Sequence, residues 1–386
     1  MILKVLFSLF FIAQLLISAD ITNQLKYLGT PYKAQFKSGE DIYSRNVWDM
    51  QVYDERIFIG AGNSANEGPS QNSGPVDLIA YIPKENKFVV EGRIDDDQVD
   101  IFKILDDTLL IPGHDAKQSW SWGNFYLRNV GTKWEKYRNI PNALHVYDLF
   151  YADKKLFAGI GLYEGAAVGI TKDLGKTWDI QKLGRSRVYS FLHIGNELFA
   201  LKKFKRTPKP YFSVAQYVNG NFVPRYDISI YDMFPDTKFE IKYSRATRII
   251  SLGNKAVYVG AYKYNSHQTK PFGLYSTQLV ENNLKAKKID LDGFIPNDMI
   301  KRGDKIYILA SKKTFLNTVN KVFIMDINDF KPKELFSFTN NTFARSFELF
   351  DGKFYFGLGC DVDEGNNWKM SDLKKETGDI LVYKWK

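Results

Sequence analysis

The sequence predicts an all-β fold, a seven-bladed β-propeller of four-stranded antiparallel blades, and three observations carry that expectation. An apolar strand, a tight Asp/Gly turn and a second apolar strand recur seven times. The copies align without gaps at a mean spacing of about 50 residues, the size of one blade. The last copy runs out of chain after its third strand, while an unassigned alternating segment stands before the first.

The copies start at Val47, Val99, Val146, Val188, Thr247, Pro296 and Ala344. Their second strands start at Ile57, Leu109, Leu156, Leu198, Val257, Ile306 and Phe354. Three residues into each copy stands Met50, Phe102, Leu149, Phe191, Ile250, Met299 or Phe347, an apolar column expected to form one shared core layer. Turns such as Asp351-Gly352 have hairpin chemistry. Third strands are expected at Leu78–Tyr81, Phe125–Leu127, Val322–Met325 and, in the last unit, Ile380–Tyr383. The leftover segment Gln24–Leu28 is expected to pair with that last strand and latch the ring, because closure protects sheet edges.

Residues 1–19 have the layout of a cleavable secretory signal: Lys4, an apolar run from Val5, and Ser18-Ala19 before Asp20. Cleavage after Ala19 leaves residues 20–386 as a single propeller domain and removes only Lys4 from a net charge of +9. No stable membrane span then remains, and a periplasmic or secreted location is expected. Cys360 is the sole cysteine, so no internal disulfide holds the domain.

One motif is specific. Thr171, Asp173, Gly175, Thr177 and Trp178 resemble the Asp box, or BNR repeat, with pattern Ser/Thr-x-Asp-x-Gly-x-Thr-Trp. Asp accepts bonds from backbone N–H groups of the turn, Gly permits positive φ, and Trp packs into a sheet interface. A degraded copy runs from Leu127 to Trp134 with Asn129 in place of Asp, and the spacing of Asp363 to Trp368 is read as coincidence. The resemblance is to the Asp-box propeller superfamily, which includes sialidases, other glycosidases and non-enzymatic members. It implies a sialidase-like fold in which the boxes are structural turns remote from the active face. The sialidase Arg-Ile-Pro motif does not occur here, and sialidases have six blades, so the resemblance supports fold and not that activity.

Ligand binding is expected where the long second-to-third-strand loops meet the starts of the innermost strands. One aligned position there holds Trp48, Asp100, Tyr147, Tyr189, Arg248, Asn297 and Arg345, and two residues earlier stand His145 and Arg187. Arg45 joins Arg187, Arg248 and Arg345 as a candidate anion-binding arginine. The first reading is an exported, non-catalytic propeller that binds a protein partner or an anionic glycan through this face. The alternative is a carbohydrate-active enzyme, a glycoside hydrolase using Asp100 with Asp115 or a polysaccharide lyase using His145 or Tyr147 with Arg187. The sequence assigns no catalytic residue. No HExxH or GxSxG motif occurs, so neither a metal nor a cofactor is expected, and no nucleic-acid motif points to such a partner.

Overall fold

The computed structural model describes residues 19–205, 211–236, 243–263, 270–362 and 368–385. Each repeat copy forms the inner hairpin of one antiparallel blade, and seven blades follow one another in chain order around a central channel. Blade 1 comprises Asp49–Tyr53, Arg56–Gly60, Val76–Ile82 and Lys87–Ile94. Blade 5 comprises Tyr243–Ser251, Lys255–Lys263, Lys270–Val280 and Asn283–Ile289. The second strands are apolar at consecutive positions because both sheet faces are covered by neighbouring blades. Ile57, Phe58 and Ile59 are all fully buried. The inner hairpin of blade 1 turns through Asp54 and Glu55, both at positive φ, the conformation that matches the strand twist.

The expected latch forms. Lys26–Gly29 pairs antiparallel with Ile380–Lys384, Tyr27 opposite Leu381, and completes blade 7. Just before it, Ile21 is fully buried against blade 6, its N–H donating to the Ser337 carbonyl at 2.9 Å. Ala19–Asp20 runs parallel along the outer strand of that blade. Residues 1–18, which carry the expected signal, lie outside the described residues, among which no helix is long and apolar enough to cross a membrane.

In blades 1, 3, 6 and 7 the third position of the repeat ties neighbouring blades together. Asp49 accepts the Phe102 N–H at 2.6 Å, Asp148 that of Phe191 at 2.9 Å, and Asp298 that of Phe347 at 3.1 Å. Ser346 donates to the Val47 carbonyl at 3.0 Å, so blade 7 is joined to blade 1 in the same way. Each bond pairs a buried backbone group that the inner strand cannot satisfy within its own sheet.

The turn from Thr171 to Trp178 is held by side-chain hydrogen bonds. Asp173 accepts from the Thr177 N–H at 2.9 Å and its hydroxyl at 2.6 Å, and Gly175 has φ +86°. These bonds hold the Asp173 carboxyl well below the usual carboxylate range, the Thr171 hydroxyl contributing most. Trp178 packs edge-on against Phe125 of blade 2, and Trp134 packs edge-on against Phe58 of blade 1. Asp363–Trp368 falls largely outside the described residues.

One element goes beyond the repeat. Asp96–Gln98 and His114–Ala116 form two short strands that extend the blade 3 sheet from four strands to six. Their sequence is polar, yet Asp96, Asp97 and Gln98 are buried, so apolar periodicity gives no sign of them. Asp96 accepts from Tyr126 Oη at 2.6 Å and Asn124 Nδ2 at 2.9 Å, while its other oxygen has no partner. Burial, offset in part by these bonds, pushes its carboxyl up to about 6. A folded-state value above the ordinary 3.8 means that the folded chain holds an extra proton between the two, so this group lowers stability as pH rises from about 4 to about 6. Asp96→Asn is expected to flatten that part of the melting-temperature profile. An unaltered slope in thermal melts across this range would assign the effect elsewhere.

Candidate functional site

The extra ribbon builds the channel mouth. Gln98 lies opposite His114, and His114 opposite His145 on the innermost strand of blade 3, Ala143–Ala152. Cross-strand partners share a face, and the two imidazole centroids stand 5.7 Å apart. In a regular strand Asp115 would project to the opposite face from His114. Its φ of +66° breaks that alternation, and its carboxylate contacts His145 Nδ1. Burial lowers the His114 pKa below the usual range, which favours its neutral form.

Aromatic and cationic groups continue inward. Tyr147 stands 5.0 Å from the His114 ring and 4.7 Å from Tyr189. The Arg245 guanidinium lies 4.9 Å above Tyr189, and Lys203 Nζ lies 4.2 Å above Tyr243. Arg245 Nε is buried with no hydrogen-bond partner, and among the described residues no carboxylate lies within 4.0 Å of this guanidinium. Burial raises the phenols of Tyr147, Tyr189 and Tyr243, so at neutral pH they present O–H donors rather than bases. These groups surround a cavity of about 240 Å³ that Trp48, Asp100, Arg345 and Asp361 also line.

All seven residues of the aligned column, Trp48, Asp100, Tyr147, Tyr189, Arg248, Asn297 and Arg345, line a deeper chamber of about 140 Å³. Trp48, Asp100, Tyr147, Tyr189 and Arg345 also line the mouth, together with His145. Arg248 and Asn297 are committed to neighbours. Arg248 pairs with Asp49 at 2.8 Å and Asp298 at 3.5 Å, and Asn297 donates to Ser311 Oγ at 2.9 Å and the Ala344 carbonyl at 2.8 Å. Arg345 stacks 4.3 Å over Trp48 and pairs with Asp361 at 2.8 Å.

Arg45 and Arg187 line neither chamber. Arg45 ends a 3₁₀ segment, Gly39–Arg45, and is buried while donating to the Phe36 and Lys37 carbonyls. Arg187 packs beside Gly161 and donates to the Ser186 carbonyl at 3.3 Å. Lys202, which follows the strand Glu197–Leu201, is buried under the Leu183 and Arg185 carbonyls, and residues 206–210 lie outside the described residues. Cys360 is buried, which raises its thiol pKa and argues against a nucleophilic role.

The repeat alignment passes over Arg245 and Tyr243 because the inner strand of blade 5 begins four residues before Thr247, where the apolar register starts. Only the extended strand length would have found them.

No protein-family model matches this chain, and no curated protein matches it. Among solved structures, it is similar to the β-propeller domain of the Trilobed protease from Pyrococcus furiosus, at 11% identity over 81% of this chain and 89% of that one, with a TM-score of 0.45. It is similar at 9% identity to a chain of the mitotic checkpoint complex, over 88% and 89% respectively, with a TM-score of 0.49. The chain itself is a seven-bladed β-propeller. At such identities these likenesses say nothing about what this propeller's channel mouth binds, so its function must be argued from its own residues.

Proposed function

We propose that the chain is an exported propeller of the Asp-box superfamily whose channel mouth binds a carboxylate-bearing glycan. The observation that carries this reading is Arg245, a partly buried guanidinium with an unpaired Nε and no acidic partner among the described residues, facing a cavity walled by tyrosines. A buried cation without a counter-charge is costly, and a ligand carboxylate supplies both the charge and two acceptors in guanidinium geometry. The tyrosine faces and O–H groups suit a sugar ring. Trp120 and Trp122, 59% and 45% exposed, offer further aromatic surface on the segment that follows His114–Ala116. The Asp-box turn supports the superfamily assignment, and the secretory layout of residues 1–19 supports a periplasmic or secreted location.

The test is calorimetric titration with galacturonate oligosaccharides and with neutral glucose oligosaccharides. Uronates alone are expected to bind, and Arg245→Ala is expected to weaken them about 10- to 100-fold, the worth of a charge-assisted hydrogen bond. Arg93→Ala, on the exposed outer strand of blade 1, serves as the control that retains affinity. Equal binding of neutral sugars, or none of either, would defeat the glycan reading and leave a protein partner for this face.

A second reading, a carbohydrate-active hydrolase or lyase, is supported by His145 lying against Asp115 in a cavity that Asp100 also lines. An imidazole oriented by a carboxylate is a general-base arrangement. Mass spectrometry of the same oligosaccharides after incubation separates the two readings, because shortened products require catalysis and intact ones indicate binding alone.

A further inference from the structure

We infer that His114, Asp115 and His145 form a site for a borderline divalent transition metal of the zinc class, open on its fourth side to the channel-mouth cavity. Their ligand atoms lie within 4.8 Å of one another. Two imidazoles and one carboxylate are a donor set that suits zinc and disfavours magnesium or calcium, which take oxygen ligands.

Three features distinguish this cluster from a chance meeting of polar groups. The two histidines are register partners on paired strands, so their separation is set by the sheet and not by a loop. Asp115 adopts positive φ, and that backbone departure is what brings its carboxylate to the side of the histidines. His145 Nδ1 is buried and touches the Asp115 carboxylate without forming a hydrogen bond of acceptable geometry. A buried imidazole nitrogen without a hydrogen bond keeps its ligating capacity unspent.

The surroundings suit the role. Tyr147 packs against both imidazoles, 5.0 Å from His114 and 5.1 Å from His145, restricting their rotation. All three donors line the cavity, so the open coordination position faces whatever enters it. Arg245, Lys203 and Arg345 are the cations of that wall, and Asp100 and Asp361 add further carboxylates. Zinc–ligand bonds of about 2.0–2.2 Å require the more distant donors to draw closer and the touching His145 Nδ1 and Asp115 oxygen to part, which rotation about the side-chain bonds supplies. Ligation and general-base duty are exclusive for His145, so the metal titration also bears on the enzyme reading.

The inference does not depend on the glycan reading, and its test uses metal alone. The chain, stripped with chelator and dialysed, would be titrated with Zn²⁺ by calorimetry and with Co²⁺ by visible absorption. One equivalent of each is expected, with cobalt bands of four-coordinate intensity and a raised melting temperature. His145→Gln and Asp115→Asn are each expected to weaken binding at least about tenfold, while His193→Gln, in blade 4, leaves it unchanged. Should either variant prove unstable, the cobalt spectrum of the unmodified chain still decides. No stoichiometric binding at millimolar metal, a cobalt spectrum that remains that of the hexa-aqua ion, or undiminished affinity in both variants would overturn the site.

Discussion

Replacing Arg248 by Met is expected to cost about 3–5 kcal/mol of stability, the penalty for leaving buried charge uncompensated. Arg248 reaches across the channel from blade 5, pairing with Asp49 of blade 1 and Asp298 of blade 6 and donating to the Trp48 carbonyl. Both carboxyls are buried, and that burial raises their pKa values even with the guanidinium present. Removing the cation leaves two carboxylates facing each other without counter-charge. Neither can relocate, since each also accepts a backbone N–H from a neighbouring blade. The sign of the pH effect follows. A raised carboxyl pKa in the folded state makes stability fall as pH rises through the interval between the unfolded and folded values. The variant widens that interval, so its deficit should be largest near pH 8 and shrink as the two acids take up protons towards pH 5. Adding Asp49→Asn and Asp298→Asn to Arg248→Met keeps both backbone acceptors, removes all three charges, and is expected to recover most of the loss. Melting of the single and triple variants across this range checks the account, and a deficit independent of pH would mean that Arg248 acts by packing alone.

The fold was legible because radial symmetry writes the same physical demand seven times. The column from Met50 to Phe347 and the hairpin turns recur, and a recurring apolar position needs no knowledge of its neighbours to be recognised. Even closure could be read, as a strand missing at Ile380–Lys384 and a spare one near Lys26. The site was legible only in part. The aligned column does ring the channel, but whether a ring residue is spent on structure depends on partners far away in sequence. Arg248 and Arg345 occupy equivalent positions, yet Asp49 and Asp298 bury the first while the second stacks on Trp48 at the cavity wall. The ribbon that carries His114 and Asp115 was invisible because buried polar strands have no apolar alternation, and positive φ at Asp115 leaves no mark that differs from an ordinary surface aspartate. Local spacing shows no metal motif, because the two histidines meet across paired strands that are distant in sequence.

Removal of residues 20–30 is expected to lower the melting temperature sharply and broaden the transition, because that short segment serves two blades at once. Lys26–Gly29 is the fourth strand of blade 7, and without it the backbone of Ile380–Lys384 becomes an open edge. Ile21, fully buried, and the partly buried Leu25 pack into the core shared by blades 6 and 7. One such side chain is worth about 1.5–3 kcal/mol. Thr30 Oγ1 adds a bond to Asp379 at 2.5 Å, and the Thr339 N–H donates to Thr22 Oγ1 at 2.9 Å, so both neighbouring blades lose polar partners as well. The effect is topological and not only a sum of contacts, since in every other blade the four antiparallel blade strands come from one stretch of the chain. A permuted chain isolates that point. Because Lys26 lies opposite Val382 and Tyr27 opposite Leu381, residues 25–30 can follow Lys386 through an added Asn-Gly, with Lys384, Trp385, Lys386 and the two added residues forming the loop that returns Leu25 beside Tyr383 in the same register. Such a chain, begun at Pro31, is expected to regain cooperative melting while still lacking the Ile21 anchor on blade 6. If it melts no better than the truncated chain, the stabilisation resides in residues 20–24 against blade 6 and not in completing blade 7.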